Sequence, residues 1–236
     1  MGIAYRIQRD RNPIDPDPVL GNRLTGHNCS PICLANAGID IKILKKLNVD
    51  YLFIPSESEI YKNKFKKFKI NKTEKILCAK HRKGHFEGVL SVMNILLNLT
   101  GAKSVFMGEK DYQQLFLIKK HLSKKYKTKI IGCPIIRDKN KVALSTRNML
   151  LSKKNYKKAS MIAKFLIKFK KNLKLNSKNL NFLLIKVKKY LEKKYNIKIE
   201  YLECRNQKNL NKTNLIKSYK LFVAYHINNV RMIDNF

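Results

Sequence analysis

Three groups of residues have the types and spacing to do chemistry. The first is Gly108-Glu109-Lys110-Asp111-Tyr112-Gln113-Gln114. A glycine permits a tight turn and a close backbone approach, and free N–H groups at the start of a following helix favour an anion. Lys110 can neutralise a phosphate, and Asp111 can hold Mg2+ directly or through water. Gln113 and Gln114 offer uncharged amides that grip a hydroxyl or a carboxylate without adding charge. The competing explanation makes Glu109 and Asp111 ordinary acids in the first turn of a helix. The second group, Leu144-Ser145-Thr146-Arg147-Asn148, supplies two hydroxyls and a guanidinium, donors suited to triphosphate oxygens or simply to capping a helix. The third sets His81, Arg82 and His85 around Gly84, just ahead of an apolar-periodic run; histidines so placed are more often structural than catalytic.

These groups need elements to carry them. From Asp40 onward, Ile41, Leu44 and Leu47 mark one face of a short helix, and Tyr51 to Ile54 reads as an apolar strand stopped by Pro55. Val89, Met93, Leu96 and Leu97 recur at helical spacing up to Gly101, and the run through Val105 to Gly108 follows as a buried strand. Asp111 is placed to cap a helix carrying Leu115, Ile118 and Leu122, and the next strand runs through Ile130 and Ile131. Helices alternating with apolar strands predict a parallel sheet covered on both faces. Gly108 to Asp111 then falls between the carboxyl end of a strand and a helix, where open parallel sheets bind ligands. Beyond Asn148 the order changes to two lysine-rich helices, about 152–173 and 177–195, followed by three strands around Ile199, Phe222 and Met232. That grouping predicts a small α+β domain, with the boundary near Arg137.

Composition bounds the function. Nine of the 51 basic residues are arginine, leaving 42 lysines against 16 acids, and the formal net charge is +35. Such a balance invites nucleic acid, but base reading and bidentate phosphate recognition favour arginine, and Lys, Asn and Ile share A/T-rich codons. Codon bias spread over solvated faces is the preferred explanation, with no specific nucleic-acid partner. Five cysteines, Cys29, Cys33, Cys78, Cys133 and Cys204, form no C-x-x-C pair, which points to a reducing compartment, and the cytoplasm is expected. His27, Cys29 and Cys33 match no zinc spacing. No run is long and apolar enough to span a membrane, and no signal peptide is visible.

Taken together and in order, Arg82 to Val89, Gly108 to Gln114, Leu144 to Asn148 and the Arg-Met-Ile-Asp-Asn ending at residues 231–235 resemble the pantoate–β-alanine ligase (pantothenate synthetase) family, over about Asp40 to Phe236. Lys83 stands where the family usually has proline, and Thr146 replaces a serine while keeping its hydroxyl. The resemblance implies an α/β fold, a Rossmann-like nucleotidyltransferase parallel sheet over residues 40–136 with a smaller C-terminal α+β lid domain over 137–236, in a homodimer. It implies that Mg-ATP, pantoate and β-alanine are the ligands: the pantoate carboxylate attacks the α-phosphate of ATP, and the β-alanine amine displaces AMP from the pantoyl adenylate. By the same resemblance Gly108, Glu109, Lys110, Asp111, Ile136, Leu144, Ser145, Thr146 and Arg147 contact ATP. Lys110, Ser145 and Arg147 carry the catalysis, Asp111 takes Mg2+, Gln114 holds pantoate, and Arg82 and His85 support the site.

Residues 1–39 depart from this pattern. The first 41 residues contain no lysine and four of the six prolines, and they lack the family's His-x-Gly-His loop and its Phe-Val-Asn-Pro-x-Gln-Phe strand. The sequence favours a frameshift, wrong start or decay upstream of Asp40 over a genuine specialised arm, and hence a front-truncated sheet with an exposed apolar edge. Three readings stay open in this order: a ligase with a faulty written front, a decayed remnant keeping the nucleotide loop, and a basic RNA-binding protein.

Overall fold

The computed structural model describes residues 41–53, 68–173, 180–212 and 219–236. The atypical first segment lies outside the described residues, as do Ile54, Pro55 and the expected helix start at 177–179. Two compact units divide the chain. The first takes the described residues up to Lys69 with Glu87–Phe106 and Ile118–Ile131; the second takes Ile70–Phe86, Met107–Leu117 and Gly132–Phe236.

In chain order the helices are α1 (41–46), α2 (Leu77–His81), α3 (His85–Thr100), α4 (Tyr112–Tyr126), α5 (Lys153–Asn172) and α6 (Leu180–Tyr195). The strands are β1 (Ser104–Gly108), β2 (Lys129–Cys133), β3 (Lys198–Asn206), β4 (Tyr219–Ile227) and β5 (Val230–Asn235). β1 and β2, linked through α4, form a parallel pair, and β3-β4-β5 form an antiparallel sheet. The chain is thus a mixed α/β protein, as its element order predicts.

In the first unit the periodic residues Met93 and Leu97 of α3 and Ile118 and Leu122 of α4 are buried with Val105 and Ile130. Two expectations fail here. Residues 51–53 adopt no strand, and Tyr51, Leu52 and Phe53 are exposed; a strand needs a ladder neighbour, and the described parallel sheet stops at two strands. β1 is not buried throughout either, since Phe106 is 59% exposed while its neighbour Val105 is covered. Alternation, not a continuous apolar interior, describes this strand.

The second unit is built around α5 and α6 packed on the antiparallel sheet. Ile162 and Leu166 from α5, Leu184 and Leu191 from α6, and Leu221, Val223 and Ile227 from β4 share one apolar cluster. Ser152 caps α5, its hydroxyl accepting from the Asn155 N–H at 3.3 Å. The β3–β4 register shifts between Ile199 and Tyr201, so Glu200 sits in a bulge, a device that re-aims side chains next to functional sites.

Candidate active site

Gly108 ends β1 in extended geometry, and Glu109–Asp111 form a single 3-10 turn that runs directly into α4. The expected Asp111 cap is not made. Its carboxylate has no hydrogen bond among the described residues, because the 3-10 turn carries the backbone into the helix. The turn is held from outside. Asn235 Nδ2 donates to the carbonyls of Glu109 at 2.8 Å and Lys110 at 3.0 Å, and Lys220 pairs with the Glu109 carboxylate at 2.9 Å. Behind the turn Gly132 leaves no spare room: a Cβ there would lie 3.0 Å from Leu115 Cδ2 and 3.1 Å from Glu109 Oε1. With its carboxylate occupied, Glu109 has its backbone left to offer a ligand.

Within the second unit, Lys110, Asp111 and Gln114 line a shallow, open cleft together with Arg82 and His85. Leu77, Cys78, Tyr201 and Asn235 complete much of its wall. The side chains of Lys110 and Asp111 form no hydrogen bond or ion pair among the described residues. Gln113 has a different task from its neighbour. Its side chain is buried, donating to the carbonyls of Ile76 at 2.8 Å and Glu74 at 3.2 Å and accepting from the Ala79 N–H at 3.4 Å. These bonds bracket Leu77, a buried residue at φ 47°, a backbone state that costs a leucine roughly 1–2 kcal/mol. Gln113 therefore braces the cleft wall and has no donors left for a substrate.

Arg82 Nη1 lies 2.7 Å from His85 Nε2. Burial, then the Arg82 charge, pushes the His85 pKa down to about 4, so the ring is neutral and accepts from the guanidinium. Burial also lowers the Arg82 pKa, and the charges of Arg147 and Arg231 push in the same direction. Three guanidiniums thus influence one another here; Arg231 is paired with Glu200, and an incoming anion would relieve the repulsion felt by Arg82.

The Leu144–Asn148 segment is placed by local bonds. Leu144 N donates to Ile136 O at 2.9 Å, setting these two exposed apolar residues side by side. Ser145 caps a 3-10 helix over Thr146–Leu150, its Oγ accepting from the Arg147 N–H, and Asn148 Nδ2 donates to Ala143 O. Thr146 is exposed. Arg147 Nη1 donates to Arg231 O at 3.3 Å. Neither Ser145, Thr146 nor Arg147 lines the cleft itself, although the Arg147 charge reaches both Arg82 and His85.

Sequence reasoning assigned no role to Arg231, Glu200, Cys78, Tyr201 or Asn235. Arg231 grips the bulged Glu200 through Nε at 3.0 Å and Nη2 at 2.7 Å and reaches Cys78 Sγ at 3.4 Å; Cys78 Sγ lies 3.0 Å from Tyr201 Oη. Burial alone would raise the Glu200 pKa, but hydrogen bonds from Arg231 and His226 hold it at about 2. The available signal was the polar pattern of residues 231–235, two consecutive acid-or-amide positions and an arginine inside a strand that pairs with an almost wholly buried one.

The sequence profile described as pantoate-beta-alanine ligase matches residues 36–236. Pantothenate synthetase of Clostridium botulinum is 35% identical over 200 residues, covering 84% of this chain and 71% of its own, and that of Flavobacterium psychrophilum is 34% identical over 203 residues. The chain belongs to the pantoate–β-alanine ligase family. Among solved structures, the pantoate-β-alanine ligase of Francisella tularensis, complexed with β-γ ATP and β-alanine, superposes with a TM-score of 0.68 at 33% identity, covering 85% of this chain and 69% of that one. Pantothenate synthetase of Thermus thermophilus shares the fold, with a TM-score of 0.71 at 24% identity. No described helix of this ligase-family chain is long and apolar enough to cross a membrane.

Proposed function

We propose that this chain condenses pantoate with β-alanine at the expense of ATP, through a pantoyl adenylate, releasing pyrophosphate and AMP. The observation that carries the proposal is the cleft lined by the Lys110 ammonium, which has no partner among the described residues, the Arg82 guanidinium and the uncharged Gln114 amide, beside a fixed turn. An in-line displacement at phosphorus needs positioning and charge neutralisation more than it needs a covalent protein nucleophile. In this reading Lys110 and Arg147 neutralise phosphate oxygens, Ser145 and Thr146 donate hydroxyls, and the backbone of Gly108 and Glu109 lies along the nucleotide. Ile136 and Leu144, adjacent and exposed, offer the adenine ring an apolar shelf. Gln114 holds pantoate, and Arg82, fixed by neutral His85, supports the anion-binding end of the cleft. Residues 40–136 carry the nucleotide turn, residues 137–236 form the C-terminal domain, and the active species is a homodimer.

The donor set fits Mg2+ that arrives on the triphosphate. Among the described residues no three potential ligands gather into a metal site, and of the two cleft acids Asp234 is held bidentately by Arg137, leaving Asp111. Mg2+ keeps several waters and takes one or two carboxylates plus phosphate oxygens, so Asp111 would hold it while the ion neutralises phosphate charge.

The test is an assay of the purified chain with ATP, pantoate and β-alanine, following AMP and pantothenate together. Stoichiometric formation of both, dependent on all three substrates, is expected. ATP consumption without pantothenate, or none at all, would favour the decayed-remnant reading.

A further inference from the structure

The loops of the candidate site are tied to one strand. From β5, Arg231 O accepts Arg147, the Asp234 carboxylate takes Arg137 bidentately at 2.7 and 2.8 Å, and Asn235 holds the Glu109–Asp111 turn. The last contact differs from the others in its economy. Both hydrogens of one amide nitrogen go to the carbonyls of consecutive residues, 125 and 126 positions away in sequence. Two bonds to successive carbonyls fix the orientation of a turn where a single bond would leave a hinge.

The amide cannot be reversed, because its oxygen would then face two carbonyl oxygens. Asn235 is 1% exposed, paired across the sheet with Phe222, and its Oδ1 is buried without a partner among the described residues. A buried, half-satisfied amide is a costly way to fill space, and an apolar side chain would serve packing alone better. What the amide provides is specific: it occupies a lone pair on each of two consecutive carbonyls and so fixes the turn, while the Lys110 and Asp111 side chains that line the cleft form no hydrogen bond among the described residues.

We propose that Asn235 is a positioning residue for the nucleotide turn, holding the Glu109 and Lys110 carbonyls so that the Lys110 ammonium meets the phosphates of the bound nucleotide. The assignment rests on the nucleotide site of the proposed function and adds a residue outside the loops that site comprises.

The experiment is a graded series, Asn235→Ser and Asn235→Asp, with a non-hydrolysable ATP analogue and Mg2+ titrated calorimetrically into each folded protein. Serine keeps one donor, whereas aspartate keeps the shape but turns an acceptor toward both carbonyls. The dissociation constant should rise about 5-fold in Asn235→Ser and at least about 30-fold in Asn235→Asp. A merely structural residue would lower the fraction of binding-competent protein, read as stoichiometry, and leave the dissociation constant unchanged. That result overturns the proposal, and Asn235→Ser alone suffices to show it if Asn235→Asp does not fold. A wild-type chain that binds the analogue but makes no pantothenate counts against the reaction and leaves this proposal standing; one that binds no analogue overturns both.

Discussion

The Gly108–Asp111 turn and the Leu144–Asn148 loop are both short and both proposed to meet ATP, yet they are built in opposite ways. The turn has its backbone held by Asn235 and its Glu109 carboxylate held by Lys220, while the Lys110 and Asp111 side chains form no hydrogen bond or ion pair among the described residues. The loop uses its polar groups on itself: Ser145 caps Arg147, Asn148 bonds Ala143 O, and Arg147 bonds a strand carbonyl. Leu144, and Met149 and Leu150 just after the loop, are at least half exposed, with the exposed Thr146 between them. The difference separates two tasks. A fixed backbone with charges held ready suits a transition state whose charge must be met without reorganisation, and a loop that pairs an apolar shelf with a guanidinium suits a nucleotide's base together with its phosphates.

Substitutions should break this contrast unequally. Lys110→Ala removes a free charge from the fixed turn and should cost at least about 2 kcal/mol of transition-state stabilisation, roughly 30-fold in kcat/KM. A pyrophosphate-release assay checks it, and unchanged turnover would remove Lys110 from the site. Arg147→Lys keeps the charge of the loop but loses the planar fork and its bond to Arg231 O; about 10-fold is expected, mostly in KM for ATP.

The smallest effect is on stability. The His85 pKa lies at about 4 in the folded chain against about 6.5 unfolded, so between those values the unfolded chain binds the extra proton. Stability should be level above pH 6.5 and fall as pH drops toward 4, with Glu200 adding its own loss only as pH falls from its unfolded value through about 2. Urea midpoints at pH 7.5 and 5 should therefore differ in the wild type and differ less in His85→Gln. An equal difference in both proteins would place the acid sensitivity elsewhere.

Sequence alone singled out the turn, the loop and the Arg82–His85 pair as candidates because each is contiguous and each carries its chemistry in residue type. It placed all three strands of the antiparallel sheet and both long helices for the same local reason, periodicity and flanking breakers. What it missed is made by pairing across the chain. Asn235 and Lys220 reach the turn over more than a hundred residues, and Glu200 reaches Arg231 only because a bulge re-aims it. Gln113 was within reach. It precedes the buried Leu117 by one helical turn, so helical spacing puts it on the covered face while Gln114 points elsewhere. The failed strand at 51–53 shows the limit of apolar runs, which fix neither a ladder partner nor a burial direction.

Glu200 has one more consequence. Its carboxylate, with Arg231 and His226 against it, is 12% exposed, whereas most of the 42 lysines decorate solvated faces. Dissolved ions screen charges separated by more than about 8–10 Å of water near physiological ionic strength, and they scarcely reach a partly buried contact pair. Added salt should therefore quiet the mutual repulsion of the lysine coat and leave the wiring beneath β5 intact. The folded chain should therefore be more stable at physiological ionic strength than in dilute buffer, and an unchanged urea midpoint between the two would count against this.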